Sequence, residues 1–132
     1  MAIDISGRHA VQGSYQMVCA VVSARVSPAF IEKIHSVRIM PRVAEALDLT
    51  TVADLISAAC MCLPGTIVAE PGDVYNLEIW RVKSILARDF KYPETLAERT
   101  AIELAHHISV AGRRLIIDAE TEGMEGADDG SK

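Results

Sequence analysis

The sequence predicts an α/β domain on a mixed five-stranded sheet, with the element order β-β-β-α-β-α-α-β. Two observations carry the prediction. Short runs rich in apolar and β-branched residues at 2–6 and 15–26 flank a glycine-containing turn, the pattern of a hairpin. Further along, apolar residues recur at three- and four-residue steps in three segments, the pattern of helices packed on one side. Helices lying between strands imply parallel crossovers added to an antiparallel meander.

Ala2 to Ser6 is apolar on both faces, which suits a central strand. Gly7 to Ser14 is the turn, and Tyr15 to Val26 is a long second strand rich in valine. Ser27-Pro28 interrupts the run. Ile31 to Met40 mixes β-branched with polar residues and reads as a third, edge-like strand, with Ile31, Ile34 and Arg38 also compatible with the start of a helix. The first helix is Thr51 to Leu63, on Val52, Leu55, Ile56, Ala59 and Leu63, opened by a Thr51/Asp54 capping box and closed by Pro64-Gly65. Gly65 to Glu70 is the fourth strand, broken by Pro71-Gly72-Asp73. A second helix spans about Val74 to Phe90 on Ile79, Val82, Leu86 and Phe90. The third follows Pro93 to about Val110, with Gly112 as its C-terminal glycine. Arg113 to Asp118, centred on Leu115-Ile116-Ile117, reads as the last strand.

Composition bounds the class. At 132 residues, 50% hydrophobic and 23% charged, the chain suits one ordinary globular domain, and with 5% aromatic residues Val, Ile, Leu and Ala must fill its interior. The formal charge of −5 lies wholly in residues 118–132, which hold six acids and one base, whereas residues 1–117 carry 12 of each sign. Residues 1–118 are therefore read as the domain and 119–132 as an acidic, disordered tail. Gln16 to Val26, the longest nearly uncharged apolar run, falls short of the roughly 20 residues a membrane helix needs. Asp4 and Arg8-His9 interrupt any signal peptide, so a cytoplasmic protein is expected. Cys19, Cys60 and Cys62 are odd in number, lack zinc-knuckle spacing and read as buried free thiols.

Asp4 is the residue that most needs explaining, because a carboxylate inside a buried strand must be paired, protonated or bound to a cation. Glu70 closes the fourth strand. With the first and fourth strands side by side, the two acids would approach near the carboxyl edge of the sheet, where open α/β sheets hold their sites.

The element order, Asp4-Ile5-Ser6-Gly7 and the Gly13-Ser14-Tyr15 opening of the second strand together resemble the ribonuclease H-like superfamily. The resemblance spans nearly all of residues 1–118, though its motifs are short, and it extends to the small uncharacterised archaeal families suspected of this fold. It implies a nuclease or resolvase-like phosphodiesterase acting on nucleic acid, its carboxylates holding two Mg²⁺ or Mn²⁺ ions. Asp4, Glu70 and Asp118 would be the catalytic acids and metal ligands, with Glu98 the alternative third ligand. The family's acid in the first helix has only Asp54 to match it, on the solvent side. Asp118 departs from the pattern in another way: the family acid usually begins a terminal helix, and the sequence from Glu120 onward does not look helical. The competing reading is a non-catalytic ribonuclease H-like binding or assembly module.

The remaining candidates weigh less. Glu94 and Glu98 suit the first turn of a helix without any metal. His106 and His107 diverge by about 100° around a helix and read as solvated. His9 reads as a loop residue. Arg81 and Arg88 share a helix face near Lys83 and Lys91 and could contact phosphate, but they also fit a solvated helix; Trp80 beside them offers a homodimer contact. A nucleotide site of actin type would need more glycines than Gly7 alone.

Overall fold

In a computed structural model, which describes the backbone of residues 1–130 and the side chains of residues 1–120, the chain forms five strands, three α-helices and one 3₁₀ turn. The strands are β1 (Ala2–Ser6), β2 (Tyr15–Val26), β3 (Ile31–Ala44), β4 (Ile67–Val68) and β5 (Phe90–Lys91). The helices are α1 (Leu49–Ala59), α2 (Ile79–Leu86) and α3 (Leu96–Gly130), and the 3₁₀ turn is Pro71–Val74. The sheet order is β3-β2-β1-β4-β5, with β1–β2 and β2–β3 antiparallel and β1–β4 and β4–β5 parallel. The doubly apolar β1 occupies the centre, and the polar-interleaved β3 lies at an edge, where its Pro41 is tolerated.

Alternation along the central strands makes two cores. Ile3, Ile5, Met17, Cys19 and Val21 pack with Val52, Leu55 and Ile56 of α1 and with Val82 and Leu86 of α2. On the opposite face Ala2, Ala20 and Val22 meet Ala101, Ile102 and Ala105 of α3. Small side chains on both partners allow the helix to lie close to the sheet.

Several expectations are corrected. The element order is β-β-β-α-β-α-β-α, because the last strand is Phe90–Lys91 and not Arg113 to Asp118. That latter segment continues α3; its Leu-Ile-Ile triplet has strand-like composition, but Ala105, Ser109 and Gly112 before it already define a helical contact face. Gly112 does not end the helix. A Cβ there would lie 3.1 Å from Ile39 Cδ1, so the glycine serves the close approach of α3 to β3. The helix expected over Val74 to Phe90 is only Ile79–Leu86, stopped by Ala87 in the left-handed region (φ 53°), where no glycine signals the end. Asp48, not the Thr51/Asp54 pair, caps α1, accepting from the Thr51 N–H at 2.8 Å. α3 also carries helical backbone past Glu120 as far as Gly130, where a non-helical stretch was expected; the side chains after Glu120 and residues 131–132 lie outside the described residues. Cys62 is exposed, unlike Cys19 and Cys60.

Candidate acidic site at the carboxyl end of the central strand

The pleat of β1 that sends Ile3 and Ile5 into the α1 core turns Asp4 and Ser6 toward α3. Asp4 is 8% exposed. Ser109 Oγ donates to Asp4 Oδ2 at 2.6 Å, and His106 Nδ1 lies 3.2 Å from the same oxygen. Residues three apart share a helix face, so one turn of α3 delivers both groups. Ser6 adds a tie from the strand, its Oγ donating to the Ser109 carbonyl at 3.0 Å. These bonds offset much of the cost of removing the carboxylate from water.

A second carboxylate comes from the turn after β4. Pairing of β4 with β1 is confined to Ala2 and Val68, and beyond it the chain folds into the 3₁₀ turn that carries Asp73. Burial and then the neighbouring Asp4 charge push the Asp73 carboxyl up to about 7, Glu70 adding to the rise, while Arg8 and the Ile5 N–H act against it. Arg8 Nη1 lies 3.5 Å from Asp73 Oδ1 and donates to the Gly72 carbonyl at 3.2 Å. Asp73 Oδ2 is buried and has no hydrogen-bond partner among the described residues. Asp73, whose carboxyl is raised by burial and by the Asp4 charge and whose Oδ2 is orphaned, is the chemically poised group of the molecule.

The four acids expected from the sequence are not assembled together. Asp4 is at the site. Glu70 is exposed at the start of the 3₁₀ turn, within electrostatic reach of Asp73. Glu98 is committed to structure: Oε1 accepts from the Glu94 and Thr95 N–H groups at 3.0 Å each, and Oε2 pairs with Lys91 Nζ at 2.8 Å. Burial works against its charge, but the Lys91 and backbone bonds prevail and hold its carboxyl down at about 2. Asp118 is exposed, and nine residues beyond Ser109 on a helix means about 13 Å of rise and half a turn of rotation away from Asp4. Asp54 is exposed on α1. Among the described residues no three His, Cys, Asp or Glu side chains gather as a metal-holding group.

The basic patch is also reduced. Arg88 donates to the carbonyls of Cys60, Leu63 and Gly65 and so stitches the loop before β4, and Lys83 pairs with Asp89 at 3.2 Å. Trp80 remains 65% exposed. A cavity of about 360 Å³ lies elsewhere, with Ala2, Val22, Val68 and the paired Lys91 and Glu98 among its walls.

Sequence reasoning missed Asp73, which was read only as part of a chain break, and missed the contact of His106 with Asp4, although the His106 side chain is exposed as expected. One signal was present: Ala97, Ala101, Ala105 and Ser109 continue a single four-residue stripe, so a serine enters the buried face of the helix. A hydroxyl there needs an acceptor.

Residues 1–117 match a family described as an uncharacterized protein conserved in archaea (DUF2209). The chain belongs to this family. Every member of the acidic site, from Asp4 to Ser109, falls within the stretch that matches DUF2209. A relative, uncharacterized protein MJ0095 of Methanocaldococcus jannaschii, is 28% identical over 121 residues, which cover 89% of this chain and 96% of the relative. Among the described residues no helix is long and apolar enough to cross a membrane.

Proposed function

We propose that this chain is a ribonuclease H-like phosphodiesterase that acts on nucleic acid with one divalent cation held between Asp4 and Asp73. The observation that carries the reading is the orphaned, buried Asp73 Oδ2, on a carboxyl that burial and then the Asp4 charge push up. The sheet order, the central Asp4 and the acid-bearing turn after β4 support the ribonuclease H-like assignment. Mg²⁺ is commonly held by one or two carboxylates together with water and substrate phosphate, and this donor set fits that mode. A two-ion site does not fit, since Glu98 is engaged with Lys91 and Asp118 lies away from Asp4.

When bound, the cation supplies Lewis acidity toward a phosphoryl oxygen. Ser109 and His106 hold Asp4 in one orientation, and Arg8 brings a positive charge to an otherwise acidic corner. The exposed Trp80 ring supports a separate homodimer contact through α2.

The test is thermal melting with and without millimolar Mg²⁺ or Mn²⁺, followed by cleavage of labelled oligonucleotides. The melting temperature should rise by several degrees with the ion, and Asp4→Asn or Asp73→Asn should remove the increment, whereas Asp118→Asn and Glu98→Gln should keep it. Absence of any increment in the wild-type protein sinks the metal reading and leaves the non-catalytic module.

A further inference from the structure

Resting on the phosphodiesterase reading, we infer that Arg8 is the phosphate-binding residue of the site, held for that purpose by Tyr75. Arg8 follows Gly7 directly after β1, beyond the strand that carries Asp4 at its middle, and its guanidinium reaches the 3₁₀ turn. Among the described residues only Nη1 meets protein acceptors, the Gly72 carbonyl at 3.2 Å and Asp73 Oδ1 at 3.5 Å. The second of these is long for a charge-assisted hydrogen bond. Nε and Nη2 remain, and they form the edge of the fork that matches two oxygens of a phosphate.

Tyr75 limits where that fork can turn. Arg8 Cζ stands 5.1 Å from the centroid of the Tyr75 ring, a cation–π contact that fixes the guanidinium plane. The ring is placed by an uncommon backbone. Tyr75 and Asn76 are consecutive left-handed residues (φ 58° and 55°), held by the Asn76 N–H donating to the Pro71 carbonyl at 2.8 Å. Such conformations are costly for residues with a Cβ and cluster where a site needs them. Tyr75 is 39% exposed and the Arg8 side chain 19%, so the pair touches solvent while Asp73 Oδ2 is buried.

The chemistry also calls for such a cation. The domain body carries no net charge to attract a polyanion, and Asp4, Glu70 and Asp73 together repel one at close range. One fixed guanidinium beside them supplies attraction where the scissile phosphate must lie. The ligand class is therefore a phosphodiester of a nucleic-acid strand.

Fluorescence anisotropy with a labelled single-stranded DNA, titrated at several salt concentrations, tests the assignment. Arg8→Gln should weaken binding about tenfold and reduce the salt slope by about one. Arg8→Lys should restore the slope but only part of the affinity, because a lysine keeps the charge without the fork. Tyr75→Ala should weaken binding less than Arg8→Gln while leaving the slope unchanged. The inference is overturned if Arg8→Gln binds like the wild type, if it loses only thermal stability, or if the wild-type protein does not bind the strand. The Mg²⁺ melting increment is read in parallel on Arg8→Gln: an increment with unchanged DNA binding rejects Arg8 and keeps the cation site, and weakened binding without any wild-type increment does the reverse.

Discussion

Ser109 and Asp4, 105 residues apart, are joined by a 2.6 Å hydrogen bond between the longest helix and the central strand. Both are buried, and the bond joins the Ser6–Ser109 and His106–Asp4 contacts as a polar seam in an interface whose core is alanine, valine and isoleucine. Ser109→Ala removes a donor from a carboxylate that water cannot easily reach. Urea unfolding should show a loss of roughly 1–3 kcal/mol. A loss below a few tenths would mean that the carboxylate finds another donor.

Gly7 marks the point where the chain leaves β1 for the Arg8 loop. Its φ is +83°, and a Cβ would lie 2.0 Å from the Gln16 carbonyl oxygen and 2.6 Å from Arg113 Nε. Those two atoms are themselves hydrogen-bonded at 2.7 Å, tying β2 to α3. Gly7→Ala should therefore cost roughly 3 kcal/mol or more. Gly13→Ala is the control: it has the same φ but nothing within 4 Å, so only backbone strain of about 1–2 kcal/mol should appear. Equal losses in the two variants would refute the steric account.

Asp73 gives the folded protein a proton that the unfolded chain does not hold. Its carboxyl rises from 3.8 to about 7 on folding, chiefly through burial and then through Asp4. Between those values the native state binds more protons than the unfolded state, so this group's contribution to stability falls as pH rises from about 4 to about 7 and is level above that. In chelator, Asp73→Asn should flatten this part of the stability–pH curve relative to wild type. A curve that keeps the wild-type slope would show that Asp73 titrates normally.

Thr95 and Glu98 form a reciprocal capping box at the start of α3: Thr95 Oγ1 accepts the Glu98 N–H at 3.1 Å, and Glu98 Oε1 accepts the Thr95 N–H at 3.0 Å. Thr95→Ala should cost about 1 kcal/mol in denaturant unfolding. Because this assigns Glu98 to helix capping and to Lys91, the Mg²⁺ increment should survive the substitution. Its loss would return Glu98 to the list of cation ligands.

Local pattern was sufficient where one residue type decides the conformation. The limits of β1 and β2, the edge position of β3 and the helix on Val52, Leu55 and Ile56 all follow from alternation, turn residues and period, which act within a few residues. Pattern misled at Ala87, where a left-handed stop without glycine leaves no trace, and at Leu115-Ile116-Ile117, where strand-like composition sits in a helix. Asp4 was identifiable because a charge in an apolar run is conspicuous in any fold.

By itself, then, the sequence determined the central strand, its buried carboxylate and an acidic C-terminal segment on an otherwise balanced body. Tertiary structure alone decided that carboxylate's company, Ser109 and His106 from a helix more than 100 residues away, and it brought Arg8, from the loop after β1, to Asp73 of a turn that reads as mere punctuation. The reason is physical. Desolvation and hydrogen bonding depend on which groups stand within a few ångströms, and packing the sheet against α3 sets those distances.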